Sequence, residues 1–233
     1  MQQMNPHLQK LQRLLLGHAV IQHPYLQKFR AGEWNKKQIR VWFEQQMHFS
    51  VALPACFAAL YARIPDRYWV EKRKLVDLLN VEAWGASDPE CHSHYFKEFA
   101  DFLGMDIDQV SKAEPKEYTK DYVHLRFDLC LHKPIVQGLA GIAFGNEMLN
   151  LFIFQVYREG IHKISGLEQC PSEYFEVHLR DEASDFQVFA KLLETLVAHE
   201  ADWEEAEKGL KELLDARVVF FDRLCEDLDK VLP

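Results

Sequence analysis

Apolar positions recur along the chain at intervals of three and four, and no segment of convincing alternation interrupts them, so helices are predicted throughout. A short amphipathic helix is predicted over 6–17. HPYLQKFRAG follows, with Pro24 suited to a first helical turn, where a missing N–H costs nothing. Asn35 is an N-cap by type, and the helix after it runs to about residue 64, with Ile39, Trp42, Phe43 and Met47 at helical spacing. Pro54 should bend or restart that helix. Asp66 caps the next one, which Gly85 breaks. ASDPE is a loop, HSHYFKEFADFLG is a helix closed by Gly104, and 106–110 is a short turn. A helix over 117–131 precedes one started by Pro134, IVQGLAGIAFGNEMLNLFIFQVYREGI, which has no polar face and therefore belongs at the centre. Pro171-Ser172 opens a long helix through SEYFEVHLRDEASDF. A last amphipathic helix, about 202–230, carries Leu210, Leu213, Leu214, Val218, Phe221, Leu224 and Leu228 down one side. The expected architecture is all-α, a bundle of seven to eight helices in a single domain over 1–233.

Composition narrows the partners more than the fold. Hydrophobic residues make up 48% of the 233 residues, enough for one sizeable core. A net charge of −9 argues against nucleic acid, which requires a concentrated basic surface. There is no run of 18 apolar residues and no signal peptide pattern, so no membrane span is expected. The five cysteines, Cys56, Cys91, Cys130, Cys170 and Cys225, are scattered and odd in number, as in a cytoplasmic protein with free thiols.

Acidic and imidazole side chains fall where helices should face inward. Glu147 lies in the central helix, and a buried carboxylate needs a pair, hydrogen bonds or a metal. His178, Glu182 and Asp185 stand at i, i+4 and i+7 on one helix face, with Asp181 beside them as the solvent-facing alternative. Glu82 at a helix end and His92 at the start of the next could add to them. His94 competes with His92, but two residues apart they face different ways. Carboxylates and imidazoles from four helices are the pattern of di-iron or di-manganese bundle sites, although the ExxH motif is absent. Such mixed ligands suit iron or manganese better than structural zinc.

HPYLQKFRAGEWNKKQIRVWFEQQMHF, LPACFAALYARIPD, HSHYFKEFADFLGM, GLAGIAFGNEMLN and SEYFEVHLRDEASDF together resemble the haem-oxygenase-like superfamily that includes TenA and PqqC, over roughly 20–225. Within it the chain is most similar to the chlamydial death-domain-associating group of non-haem di-iron oxidases. The resemblance implies a haem-oxygenase-like bundle with a metal pair held by Glu82, His92, Glu147, His178, Glu182 and Asp185. Asp185 departs from the pattern, which has histidine there. In the chlamydial protein a tyrosine is consumed and a lysine supplies nitrogen in making p-aminobenzoate. Those positions fall at Leu26, beside Tyr25, and at Tyr157, so that reaction is not expected here.

Three readings follow. The first is an O2-dependent oxidase or oxygenase with two iron ions, or manganese, acting on a small organic substrate. Tyr157, Trp42 and Tyr25 are its candidate catalytic residues, and Phe144 and Trp84 further pocket walls. The second is a metal-free member of the fold that binds a small molecule or regulates, motivated by Asp185. The third is a PqqC-like cofactorless oxidase, for which the central helix offers almost no basic residues. Cys56 and Cys130 lack a visible basic partner for TenA-like nucleophilic chemistry, and His18 and His23 have only their position to suggest haem ligation. His48 could line the same cavity. A homodimer is expected, with neither nucleic acid nor membrane as partner.

Overall fold

The chain is described from a computed structural model covering residues 5–82 and 92–231. Trp84, Gly85 and Cys91 lie outside the described residues. Ten helices occur among the described residues: α1 (Pro6–Leu16), α2 (Pro24–Ala31), α3 (Lys36–Arg63), α4 (Asp66–Glu82), α5 (His92–Leu103), α6 (Ile107–Lys112), α7 (Glu117–Leu131), α8 (Ile135–Ile161), α9 (Glu173–Leu196) and α10 (Glu200–Asp229). Nine are substantial and α6 has six residues. The all-α, haem-oxygenase-like expectation therefore needs correcting in its count of seven to eight helices. Local capping explains the difference. The Asp106 side chain accepts hydrogen bonds from the backbone of Asp108 and Gln109, which winds the expected turn into α6. The segment after Pro24 becomes a separate helix because His23 caps its start and Gly32, at φ 73°, ends it in the left-handed region.

Asn35 is the N-cap of α3, in a capping box with Gln38. The helix is interrupted at Ala52, and Pro54 then sits in the first turn of the stretch Leu53–Arg63. The chain turns by 116° between α3 and α4.

The apolar α8 is the central helix and packs against α2, α7, α9 and α10. It is long and apolar enough to cross a membrane by length and composition, but 83% of its most apolar window is buried inside the core. Close approach of α8 to α2 depends on Gly160, where a Cβ would overlap the carbonyl of Phe29. Between Ala143 and Met148 the helix widens into a π-helical turn, every residue of which is buried. Such turns are rare and concentrate at functional sites. This one carries Glu147.

Candidate functional site: a buried carboxylate and histidine cluster

The π-turn places Glu147, 2% exposed, opposite the inward face of α9, from which His178, Glu182 and Asp185 project at 5%, 4% and 7%. Helix α5 contributes His92 and the end of α4 contributes Glu82. The six expected site residues are therefore brought into one buried region. His94 stays outside, half-exposed and paired with Glu98 on its own helix.

Within that region the groups partner one another. Glu82 Oε1 lies 2.8 Å from His92 Nδ1, and Asp181 Oδ2 lies 3.5 Å from His92 Nε2. Burial alone would lower the His92 pKa, but Glu82 and Asp181 outweigh it and raise the imidazole to about 10. Asp181, which the sequence suggested would face solvent, is thus turned inward. Despite partial burial, His92 and Arg180 hold it well below the usual carboxylate range. Glu147 and Glu182 are buried close enough for their charges to act on each other, and Glu182 Oε2 is enclosed with no hydrogen-bond partner among the described residues. Burial raises both, and burial with the Glu147 charge drives Glu182 well above the ordinary carboxylate value. Asn146 Nδ2 donates to Glu147 at 3.2 Å, and Asn150 Nδ2 to Glu182 at 3.1 Å. Asp185 accepts from Ser184 Oγ at 3.2 Å and is pushed up to about 8 by burial and by the charges of Glu147 and Glu82.

His178 Nδ1 donates to the Tyr174 carbonyl at 2.7 Å, which leaves Nε2 with the lone pair. Its ring stacks on Phe154 at 3.9 Å. Burial and then the His92 cation hold it well below the ordinary imidazole pKa. Glu82, Glu182, Asn150 and His178 line a cavity of about 20 Å³, room for one water. Glu182, whose carboxyl burial pushes up, thus shares a cavity with His178, whose imidazole burial holds neutral. Environments that separate pKa values in this way are suited to proton transfer.

The expected pair of metal ions does not fit this arrangement. Among the described residues, no group of three or more His, Cys, Asp or Glu side chains is placed to hold a metal ion. His92 is engaged instead by Glu82 and Asp181, and Glu147, Glu182 and Asp185 accept from Asn146, Asn150 and Ser184. The expectations of two iron or manganese ions and of a metal-dependent oxidase or oxygenase are corrected accordingly.

Beside this cluster, Tyr25 Oη donates to Tyr157 Oη at 3.1 Å, and the Trp42 ring lies 4.9 Å from that of Tyr157. Phe154 connects the two regions, packing on both Tyr157 and His178. Burial raises the pKa of both tyrosines. Phe144 is core, packed edge-on against Phe186. His18 and His23 each cap a helical turn and pair with Asp215 and Asp222 of α10. The half-buried His48 is lowered by burial. The neighbouring Cys130 and the Arg126 cation outweigh burial and lower the Cys56 thiol to about 7, so a basic neighbour does exist there. Sequence reasoning missed Arg126, a fully buried cation that donates to Asn146 at 3.3 Å and to the Phe49 carbonyl at 2.6 Å. Its one sequence signal is its place among the inward positions of α7.

The family model described as "Iron-containing redox enzyme" matches residues 40–218. A 4-aminobenzoate synthase of Nitrosomonas europaea is 23% identical over 96% of this chain and 92% of its own length. A second protein of that name, from Chlamydia trachomatis, is 26% identical over 97% of this chain and 84% of its own. Among solved structures, a TenA homologue from Pseudomonas syringae superposes with a TM-score of 0.75 at 13% identity, covering 95% of this chain and 93% of that one. The fold is TenA-like and haem-oxygenase-like.

Proposed function

The chain belongs to the family described as iron-containing redox enzymes, and from that premise we propose that it is a metal-free member, which binds a small organic molecule next to an internal proton-transfer cluster. The observation that carries this reading is that no three of these side chains converge on a common point, His92 being held instead by Glu82 at 2.8 Å and Asp181 at 3.5 Å. Glu182 and His178 are the groups suited to give and take a proton, and Tyr25, Tyr157 and Trp42 form the aromatic wall. The kinship with the chlamydial death-domain-associating group belongs to this proposal. The relatives' name, 4-aminobenzoate synthase, supports a small organic partner. Their reaction is not carried over, because Leu26 and Tyr157 stand at the positions discussed above. A cytoplasmic location is supported by four free cysteines among the described residues.

Metal content per chain tests the reading, measured by inductively coupled plasma mass spectrometry on untagged protein after anaerobic iron and manganese loading. The expected result is no metal above the level of the Glu147→Ala and Asp185→Ala variants. Stoichiometric metal in the wild type, lost in both variants, would sink it.

A further inference from the structure

Two cysteines meet in the core outside the carboxylate and histidine cluster. Cys56 lies in the second stretch of α3 and Cys130 near the end of α7, and both are 1% exposed. Cys56, Leu60 and Arg63 stand at i, i+4 and i+7, so they share one helix face. That face meets α7 at Cys130. Arg63 Nη1 donates to the Cys130 carbonyl at 2.7 Å. At Gly138 of α8, the place of a Cβ lies 2.9 Å from Cys130 Cα and 3.1 Å from Leu60 Cδ2, so Cys130 and Leu60 pack on the same point. Cys56, one turn before Leu60, therefore faces Cys130, and each thiol acts on the ionisation of the other. Both are free. The Cys56 thiol makes one long contact, 3.9 Å, to the Ala52 carbonyl of its own helix.

Arg126 precedes Cys130 by one turn and shares its face of α7. It is fully buried, and no carboxylate is ion-paired with it among the described residues. Two of its nitrogens donate to Asn146 and to the Phe49 carbonyl, while Nε is enclosed with no hydrogen-bond partner there. A buried cation without a carboxylate favours the thiolate, which is the reactive form of cysteine. The two thiols are pushed apart accordingly. Cys130 and the Arg126 cation bring Cys56 down to about 7, whereas Cys56 and burial hold Cys130 well above the ordinary thiol value. One ionised attacking thiol beside one protonated partner is the division of labour in a reversible dithiol. Burial of both sulfurs excludes bulky oxidants and leaves small uncharged ones, of which hydrogen peroxide is the type.

We propose that Cys56 and Cys130 are a redox pair that a small peroxide closes into a disulfide, with Cys56 as the attacking sulfur, Cys130 as the resolving sulfur and Arg126 as the cation that holds the thiolate. The Cys56 sulfur attacks one peroxide oxygen and the O–O bond breaks, giving a sulfenic acid and water once the thiol proton is counted. The Cys130 sulfur then displaces the sulfenic oxygen, which leaves with the Cys130 proton as a second water. Two thiols lose two electrons in all, and one peroxide is reduced to two waters. With Cys56 neutral after the first step, its charge no longer opposes ionisation of Cys130. A bridge of this kind in a reducing compartment is transient and senses oxidant. Arg126 donates to Asn146, which donates to Glu147, so the pair stands two hydrogen bonds from the candidate site. The proposal does not depend on the metal-free reading.

The test treats the folded full chain with hydrogen peroxide, removes the excess with catalase, blocks remaining thiols with N-ethylmaleimide in denaturant and maps the digest by mass spectrometry. The expected result is loss of both thiols and gain of a linked Cys56–Cys130 peptide pair that dithiothreitol separates. The rate should rise about tenfold between about pH 6 and about pH 8, as Cys56 ionises. In Cys130→Ser, where no resolving thiol remains, dimedone should trap the sulfenic acid on Cys56. Recovery of both cysteines as maleimide adducts overturns the proposal, and so does over-oxidation of either without a bridge. A bridge from either to Cys91, Cys170 or Cys225 overturns it too. A rate that is flat across that pH range overturns Cys56 as the attacking thiol. Should the serine variant fail to fold, the wild-type map and pH profile decide.

Discussion

Replacing Asp185 with Asn should stabilise the protein at neutral pH. The carboxyl is 7% exposed and is pushed from 3.8 up to about 8 by burial and by the charges of Glu147 and Glu82. The folded chain therefore holds a proton that the unfolded chain releases. Stability falls as pH rises from about 4 to about 8, with a slope of up to about 1.4 kcal/mol per pH unit. At about pH 7 the accumulated cost is about 4 kcal/mol by this linkage. Neighbouring acids retitrate when this one is neutralised, so about half of it, about 2 kcal/mol, should be recoverable. Asn keeps the acceptor for Ser184 and matches the neutral carboxyl in shape. For a chain of this size the gain corresponds to a rise of about 4–8 °C in Tm. Urea denaturation at about pH 7 and about pH 4 reads it directly, and the gain should vanish at the lower pH. An Asn variant less stable than the wild type at neutral pH, or equally stabilised at both, would refute the reasoning.

Two further outcomes follow from the packing and pairing. His92→Gln leaves Glu82 and Asp181 without their shared cation and should cost about 3 kcal/mol in urea denaturation. Because the folded pKa of His92 is raised, its contribution is complete below about pH 6.5 and is lost as pH rises through about 10, so the gap between wild type and variant should close in alkali. Gly160→Ala puts a methyl group into the Phe29 carbonyl and should cost about 1–3 kcal/mol by the same assay, through separation of α8 from α2.

Much of the fold can be read from the sequence because helical periodicity and capping are local. Asn35, Pro54 and Pro24 mark helix starts or breaks, and the all-round apolar character of Ile135–Ile161 marks the central helix. Spacing likewise puts His178, Glu182 and Asp185 on one inward face and separates His92 from His94. What spacing cannot supply is the partner across a helix interface. Asp181 reaches His92 only because α5 packs against α9, and that contact turns an expected ligand into one member of an ion pair. The same applies to Glu147, which the π-turn of α8, a feature that no residue pattern announces, sets where its charge raises Glu182. Arg126 and Arg217 read as ordinary helix cations in sequence, and only tertiary packing brings both within about 4 Å of the Phe49 ring centroid.

The central claim is that burial and neighbouring charge, rather than metal, set the state of Glu147, Glu182 and Asp185, keeping carboxyl groups protonated there. Infrared difference spectroscopy reads it most directly, through the C=O stretch of protonated carboxyl groups at neutral pH. A protonated-carboxyl band that is reduced in Glu182→Gln and unchanged when Fe(II) is added anaerobically is the predicted result. Loss of that band on addition of Fe(II), as the carboxyls ionise to take up metal, would contradict the account.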